Sequence, residues 1–473
     1  MIEMLILRGI FALVSIGSLV IFGRLLDARQ FGLMAMATTI LSVVGIFRDF
    51  GLAAAAIQKE HMSEADRDEL FFLSIIVAFC ALVFVIVAAP LFAALYAEHD
   101  LVPVLIVSGI SYLAWGLQAQ HAATLRRRMR FKAILLAEGV GVTSGLAVGA
   151  IVAYLRQDVW ALVANNLTQA VLTAAFMFHA DPWLPRRWRK PQNLRHYLSF
   201  GRDYMSHALL SYLSANWGQI VLGLRFGPTE LGYFNRAQQL FMFPQTLVLG
   251  PLQEVTTPVL SRLQSDPERF AAGHLQLLQR STLIMFPIAG LLPFVSVDVV
   301  HFLLGRGWNE AATILGFFAP AIAMQGIITA VQVGLLAMGR VAEMRNFALL
   351  DAILKLAAAL AGMSYGGVGV AITMSVTGLL VAAPIGIMIM ASKGPSAGTQ
   401  FRAVLEAGLV GLSAAASGYL LQDQVHATID SSFLRLVTLS AGGFFIAGIV
   451  ALALPGCRGT ILTALTFFRG SKA

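Results

Sequence analysis

The chain is 473 residues long; 58% of them are hydrophobic and only 12% are charged, about half the charged share of a soluble protein. Its 33 Lys and Arg outnumber 25 Asp and Glu, for a formal charge of +8, and the mean hydropathy is +0.77. These figures exclude a soluble globular enzyme and a disordered chain, and the long unbroken apolar stretches argue against a barrel of short alternating strands.

A helix that crosses a bilayer uses about 20 apolar residues. Apolar stretches of that size, bounded by polar, Gly or Pro turns, predict fourteen spans near 4–26, 32–57, 70–95, 102–124, 133–155, 159–179, 198–224, 232–258, 273–303, 312–337, 346–363, 368–392, 404–420 and 434–454. The first has neither a basic segment before it nor a small-residue cleavage site after it, and reads as an uncleaved helix. The turns at 156–158 and 364–367 are so short that the spans beside them must form tight antiparallel hairpins. With the N-terminus inside, inner loops and tail hold twenty-one Lys and Arg and outer loops only Arg29, Arg156, Arg225 and Arg306, which predicts both termini in the cytoplasm. Two inner loops, LRRRMRFK (125–132) and PRRWRKPQNLRHY (185–197), suit anionic headgroups, although plain positive-inside bias is the better account of them. The longest predicted outer loop is 421–433.

Sliding the chain by about 200 residues reveals an internal repeat. GRLLDARQFG, from Gly23 to Gly32, has the glycine spacing of GLRFGPTELG, from Gly223 to Gly232. LRRRMRFK is similar to LAMGRVAEMRN (335–346), and QDVWALV (157–163) lines up with GGVGVAI (366–372). The expected fold is therefore all-α and polytopic: a six-helix lobe over 1–180, a basic linker over 181–197, a second six-helix lobe over 198–392, and two further helices with a tail over 393–473.

Charge inside a span is expensive, so intramembrane charges are candidates for function. They are Arg8, Arg24, Arg48, Asp49, Glu138, Arg202, Asp203, Arg236 with the neighbouring Gln238 and Gln239, Glu254, Arg280, Asp298, and the pair Asp351 and Lys355, four apart on one helix face. The cations fall in both repeat halves, as a cavity for an anion would require. Arg24, Arg202, Arg280 and Arg435 lie near interfaces, where an arginine also snorkels to headgroups. Asp49, Glu138 and Asp351 are the carboxylates available for coupling or for structural pairing. No HExxH, Walker, GxSxG or dinucleotide motif occurs, and Cys80 and Cys457 offer neither a disulfide framework nor a CxxC site. His121, His179 and His207 sit at span ends with no carboxylate partner evident. The sequence thus predicts no catalytic residue, metal, cofactor or nucleic-acid partner. With no ATPase module, any driving force must come from a gradient or another chain.

The segments LLDARQFGLMAMA, IFRDFGLAAAAIQK, QHAATLRRRMRFK, DVWALVANN, FGPTELGYFNRAQQLFMFP and PVLSRLQSDPERF occur in that order across about residues 8–392. Together they resemble Wzx-type polysaccharide flippases of the multidrug/oligosaccharidyl-lipid/polysaccharide superfamily, especially the exopolysaccharide subgroup linked to colanic acid or succinoglycan. The resemblance implies two lobes forming a V around a central cavity, and alternating access in a bacterial inner membrane. The implied cargo is an undecaprenyl-pyrophosphate-linked oligosaccharide moved to the periplasmic leaflet, with membrane lipids, a polysaccharide polymerase and chain-length or export proteins as partners. It places cavity arginines most nearly at Arg24, Arg48 and Arg236, with Arg202 and Arg225 as an electropositive flank and Lys355 in the second lobe. Asn216, Trp217, Gln219, Gln238, Gln239 and Gln325 are the side chains expected to face sugar. The competing readings are a cation-coupled antiporter of the related MATE type, which calls for a carboxylate-rich cavity, and a membrane glycosyltransferase or polymerase.

Overall fold

The computed structural model describes residues 2–49, 63–185, 194–392 and 394–460. Those residues form helices and no strand. Ten helical stretches among them are long and apolar enough to cross a membrane, and each of the fourteen predicted spans overlaps a helix. Large side chains such as Val87, Leu91 and Phe445 are about seven-tenths exposed. In water such surfaces would be an aggregation hazard; in a multi-pass membrane protein they face lipid.

The chain divides into two compact units, Met1–Gly232 and Tyr233–Ala473. Unit 1 comprises α1 (Ile2–Leu25), α2 (Ala28–Asp49), α3 (Glu64–Leu95), α4 (Leu101–Gly109), α5 (Ser111–Arg127), α6 (Phe131–Arg156), α7 (Trp160–Ala180) and α8 (Leu194–Phe226), together with the start of α9 (Pro228–Phe241). Unit 2 continues with α10 (Gly250–Arg262), α11 (Pro267–Leu303), α12 (Asn309–Phe317), α13 (Ala319–Ala337), α14 (Val341–Gly362), α15 (Gly366–Thr377), α16 (Ala383–Ala391), α17 (Ala397–Thr428) and α18 (Ser432–Ala453).

Three helix interruptions in unit 2 lie directly before prolines. A proline supplies no N–H and crowds the carbonyl four residues back, which favours a break or widening just before it, although Pro258, Pro287 and Pro293 lie inside continuous helices. Pro251 and Pro384 sit in the first turns of α10 and α16, directly after π-helical turns at Gln245–Leu249 and Gly378–Ala382; Pro320 opens α13 just after the break at Phe318. The corresponding break in unit 1 is at Ile110, between α4 and α5.

The repeat is written in the backbone. Ala97, Met129 and Gln157 are the non-glycine residues with positive φ among those described, at 52°, 55° and 52°. About 210 residues later stand Gly305, Gly339 and Gly366, with φ of 99°, 69° and 66°. The residues that follow Met129 and Gly339 match closely: Arg130 has φ −84° and ψ 52°, and Arg340 has φ −81° and ψ 52°. Left-handed backbone crowds a Cβ against the next carbonyl, which glycine avoids. Met129→Gly and Gln157→Gly are accordingly expected to stabilise unit 1 by about 1 kcal/mol each. A thermal melt of the purified protein in detergent checks this, and a lowered midpoint contradicts it.

Small residues set the close helix approaches. Gly141, Gly145 and Gly149 form a stripe on α6 that lies against Asn165, Gln169 and Thr173 of α7, and a short turn joins the two helices as predicted. At the outer-turn repeat the contact is reciprocal. A Cβ on Gly32 would strike the backbone carbonyl of Pro228, and a Cβ on Gly232 would strike that of Ala28. Two repeat-related glycines thus let the first turns of α2 and α9 cross backbone to backbone.

Three expectations change. The helix α3 starts at Glu64, six residues before the predicted span, because Ser63 and Asp66 form a capping box: the Asp66 N–H donates to Ser63 Oγ at 3.1 Å, and the Ser63 N–H to the Asp66 carboxylate at 3.0 Å. Arg67 is therefore helical and buried instead of belonging to an exposed loop. The predicted outer loop 421–433 is mostly helix, since α17 runs on through polar LQDQVHAT to Thr428. Arg435 does not simply snorkel, because its Nε lies 3.0 Å from the buried Asp298, which also faces His426 at 3.3 Å. That cluster pins α17 and α18 to α11, reinforced where Gly290 and Gly411 bring α11 and α17 into backbone contact.

Candidate functional site

Unit 1 holds a polar cavity of about 500 Å³ among otherwise apolar helices. Five helices contribute to it: Thr38, Ser42 and Gly45 from α2; Ser108 from α4; Ser111, Tyr112 and Trp115 from α5; Asn166 and Gln169 from α7; and Tyr212 from α8, beside the apolar Met34, Leu41, Ile46 and Ala208. None of the described residues lining it is charged. The break at Ile110 separates Ser108 from Ser111, and the Ser111 hydroxyl donates to the Ser108 carbonyl at 2.6 Å. The Ser108 hydroxyl itself is buried and has no hydrogen-bond partner among the described residues. Two tyrosines reach α2: the Tyr112 hydroxyl donates to the Leu41 carbonyl, and that of Tyr212 to the Thr39 carbonyl at 3.4 Å. The glycine stripe of α6 seats Gln169, so the packing of α6 on α7 also sets the pocket wall. The opposite side of α2 borders a separate apolar cavity of about 730 Å³, lined by residues including Val43, Phe47 and Phe84.

At the inner end predicted for unit 1, Asp181 binds several groups at once. It is buried and ion-paired to Arg67, lies 3.2 Å from Arg128 Nη1 and faces His121 Nδ1 at 3.3 Å. The Asp181 carbonyl is 3.0 Å from the same Nδ1, which assigns the proton there, and His121 Nε2 is buried without a partner among the described residues. The Arg67 guanidinium also stacks on Trp183, 3.8 Å from the ring centre. The expectation of no carboxylate beside His121 is therefore wrong: its partner is 60 residues away in sequence.

The charged residues expected to form a site are spread along the chain. Arg24 is exposed in the last turn of α1, Glu138 is half-buried in α6, and Arg225 is exposed near the end of α8. None of these three lines the polar cavity. In unit 2, Arg236 on α9 is half-buried and donates to Asn235 Oδ1 at 2.8 Å; Gln238 is half-buried and Gln239 exposed. The structure does bring together Asp351 and Lys355, paired at 2.7 Å on α14. The side chains of Arg48, Asp49 and Arg202 lie outside the described residues, as does most of the basic linker. Of the expected sugar-facing residues, Asn216 donates to the Tyr212 carbonyl at 2.8 Å and Gln219 to Asn216 Oδ1 at 3.3 Å, while Gln325 is buried in α13. The cavity residues carry no charge and so do not stand out in an apolar sequence. Their signal was a stripe of small hydroxyl, amide and aromatic side chains at intervals of three, four and seven.

Residues 21–313 match the family described as "Polysaccharide biosynthesis protein". The chain belongs to that family. This polysaccharide biosynthesis protein is 22% identical to "Lipopolysaccharide biosynthesis protein WzxC" of Escherichia coli (strain K12) over 301 residues, 62% of this chain and 60% of the relative. It is also 22% identical to "Succinoglycan biosynthesis transport protein ExoT" of Rhizobium meliloti (strain 1021), over 65% of this chain and 62% of the relative. The match therefore spans about three-fifths of these curated relatives. Among solved structures the protein is similar to "Lipid II flippase MurJ, inward closed conformation", with a TM-score of 0.78 at 13% identity, covering 96% of this chain and 98% of that one. An inward-facing MATE-family multidrug resistance transporter gives a TM-score of 0.65 at 13% identity, over 82% and 95%. Both bear out the all-helical transporter fold, and the family bears out the Wzx-type resemblance.

Proposed function

We propose that this protein moves undecaprenyl-pyrophosphate-linked oligosaccharides from the cytoplasmic to the periplasmic leaflet of a bacterial inner membrane, for assembly of an exopolysaccharide or related polymer. The single observation that carries the reading is a cavity lined by hydroxyl, amide and aromatic side chains, built into membrane helices of a polysaccharide biosynthesis protein. A sugar needs hydroxyl, amide and aromatic partners. Cationic drugs call instead for a carboxylate-lined cavity.

The working unit is a pair of six-helix lobes, residues 1–180 and 198–392, joined by the basic cytoplasmic linker 181–197, with residues 393–473 as an appendage and both termini in the cytoplasm. The lobes expose the cargo's sugar to each side in turn while its prenyl chain stays in lipid. Arg24, Arg48 and Arg236 hold the pyrophosphate, because a guanidinium fork meets phosphate oxygens in pairs. Arg202, Arg225 and Lys355 add positive potential, Gln238 and Gln239 hydrogen-bond the cargo, and Asp49, Glu138 and Asp351 supply coupling or structural carboxylates. The process makes and breaks no covalent bond and uses no cofactor. A polymerase and chain-length or export proteins take up the delivered repeat unit.

The test is a strain lacking the protein, from which undecaprenyl-linked intermediates are extracted and assigned to a leaflet. Complete repeat units held on the cytoplasmic leaflet are the expected result. Unpolymerised units on the periplasmic leaflet would move the protein to a step after translocation, and absence of any accumulation would defeat the flippase reading.

A further inference from the structure

We infer that the polar cavity of unit 1 is a subsite for one sugar ring of the cargo, with the Trp115 indole as its stacking face and Ser108, Asn166 and Gln169 as its hydrogen-bonding wall. The inference rests on the flippase reading and gives that site its ligand chemistry.

A pyranose presents an apolar C–H face and an edge of hydroxyls. Trp115 answers the first requirement: it lies within a predicted membrane span, yet its side chain is 45% exposed and borders the cavity instead of being packed into the core. An indole offers a broad apolar face at little conformational cost. The second requirement is met from the neighbouring helices. Asn166 is exposed and Gln169 half-buried one turn apart on α7, so both amides address the same space. An amide both donates and accepts, which suits a hydroxyl that does the same.

Ser108 is the independent sign that something polar belongs here. It is 5% exposed, its Oγ has no hydrogen-bond partner among the described residues, and it lines the cavity. A buried hydroxyl left unsatisfied costs on the order of 1–3 kcal/mol, which a ligand hydroxyl recovers. The hydroxyls and amides of Thr38, Ser42, Ser111, Asn166 and Gln169 suit the sugar portion of the cargo. Room for the ring comes from Gly45 on α2. Among the described residues, a Cβ there would meet nothing within 4 Å, in contrast to the tightly packed glycines of α6.

That open space gives a direct test, since a large side chain at Gly45 fills the cavity without meeting a neighbour at its root. The probes are undecaprenyl pyrophosphate bearing a neutral disaccharide and the same lipid bearing no sugar, bound to the purified full-length protein in detergent. Gly45→Phe and Trp115→Ala are each expected to weaken the disaccharide-bearing probe by about tenfold or more and to leave the sugar-free probe unaffected. Trp115→Tyr, which keeps an aromatic face, is expected to restore most of the binding. If both probes weaken equally, or if a folded Gly45→Phe protein binds the disaccharide probe as tightly as wild type, the subsite assignment is overturned. Should Gly45→Phe not yield folded protein, the comparison of Trp115→Ala with Trp115→Tyr decides alone. Wild-type protein that binds neither probe defeats the flippase reading itself.

Discussion

Asp181→Ala is expected to remove most of the folded protein from the membrane. The carboxylate is buried against Arg67, Arg128 and His121, and only Arg128 among these reaches solvent substantially. Arg67 has a side chain just 10% exposed, with one face on Trp183. Removing the anion leaves a buried guanidinium without its counter-charge, which typically costs about 3–5 kcal/mol. Against a total stability of roughly 5–15 kcal/mol that is a large fraction. The pair itself need not be net stabilising, because desolvation of both ions offsets most of their attraction. The double variant Arg67→Met with Asp181→Ala is therefore expected to recover much of the lost abundance. Immunoblotting of membranes, followed by detergent melts of each variant, checks both expectations. A single Asp181→Ala variant as abundant and stable as wild type would show that the cluster is not holding the inner end of unit 1 together.

Gly145→Leu should be the second severe change, by packing instead of charge. A Cβ alone at this position would lie 2.7 Å from the Asn165 carbonyl oxygen and 3.2 Å from the Gln169 Cβ. The first neighbour is backbone, so the helices must part. Overpacking of this kind costs about 1–3 kcal/mol, and more where backbone has to move. Because Asn166 and Gln169 ride on the displaced helix, polymer output should fall further than abundance. Output that simply tracks abundance would separate the α6–α7 contact from the polar cavity.

The sequence made the helices legible because bilayer thickness imposes a length on them, but not the breaks beside Pro251, Pro320 and Pro384, since Pro258, Pro287 and Pro293 lie inside continuous helices. The second copy of each left-handed turn was visible as Gly305, Gly339 or Gly366. The first copy was not, since Ala97, Met129 and Gln157 carry no such mark, and only the shared backbone conformation reveals them as counterparts. Long-range charge pairing was equally hidden. Arg67 and Asp181 are 114 residues apart, and no spacing rule joins them. The cavity escaped for a different reason: intramembrane charge is rare enough to stand out, whereas Thr38, Ser42, Ser108 and Ser111 are residue types that helices also use for packing and for bonding their own carbonyls.

Transport by the purified full-length protein tests the central claim most directly. The protein is reconstituted into sealed liposomes with a fluorescent undecaprenyl-pyrophosphate-linked oligosaccharide in one leaflet, and the fraction open to a membrane-impermeant quencher is followed in time. Protein-dependent equilibration of the probe between leaflets, with a phospholipid of the same label staying in place, is the predicted result. Oligosaccharide movement no faster than in protein-free liposomes, under every ion gradient applied, would contradict the account.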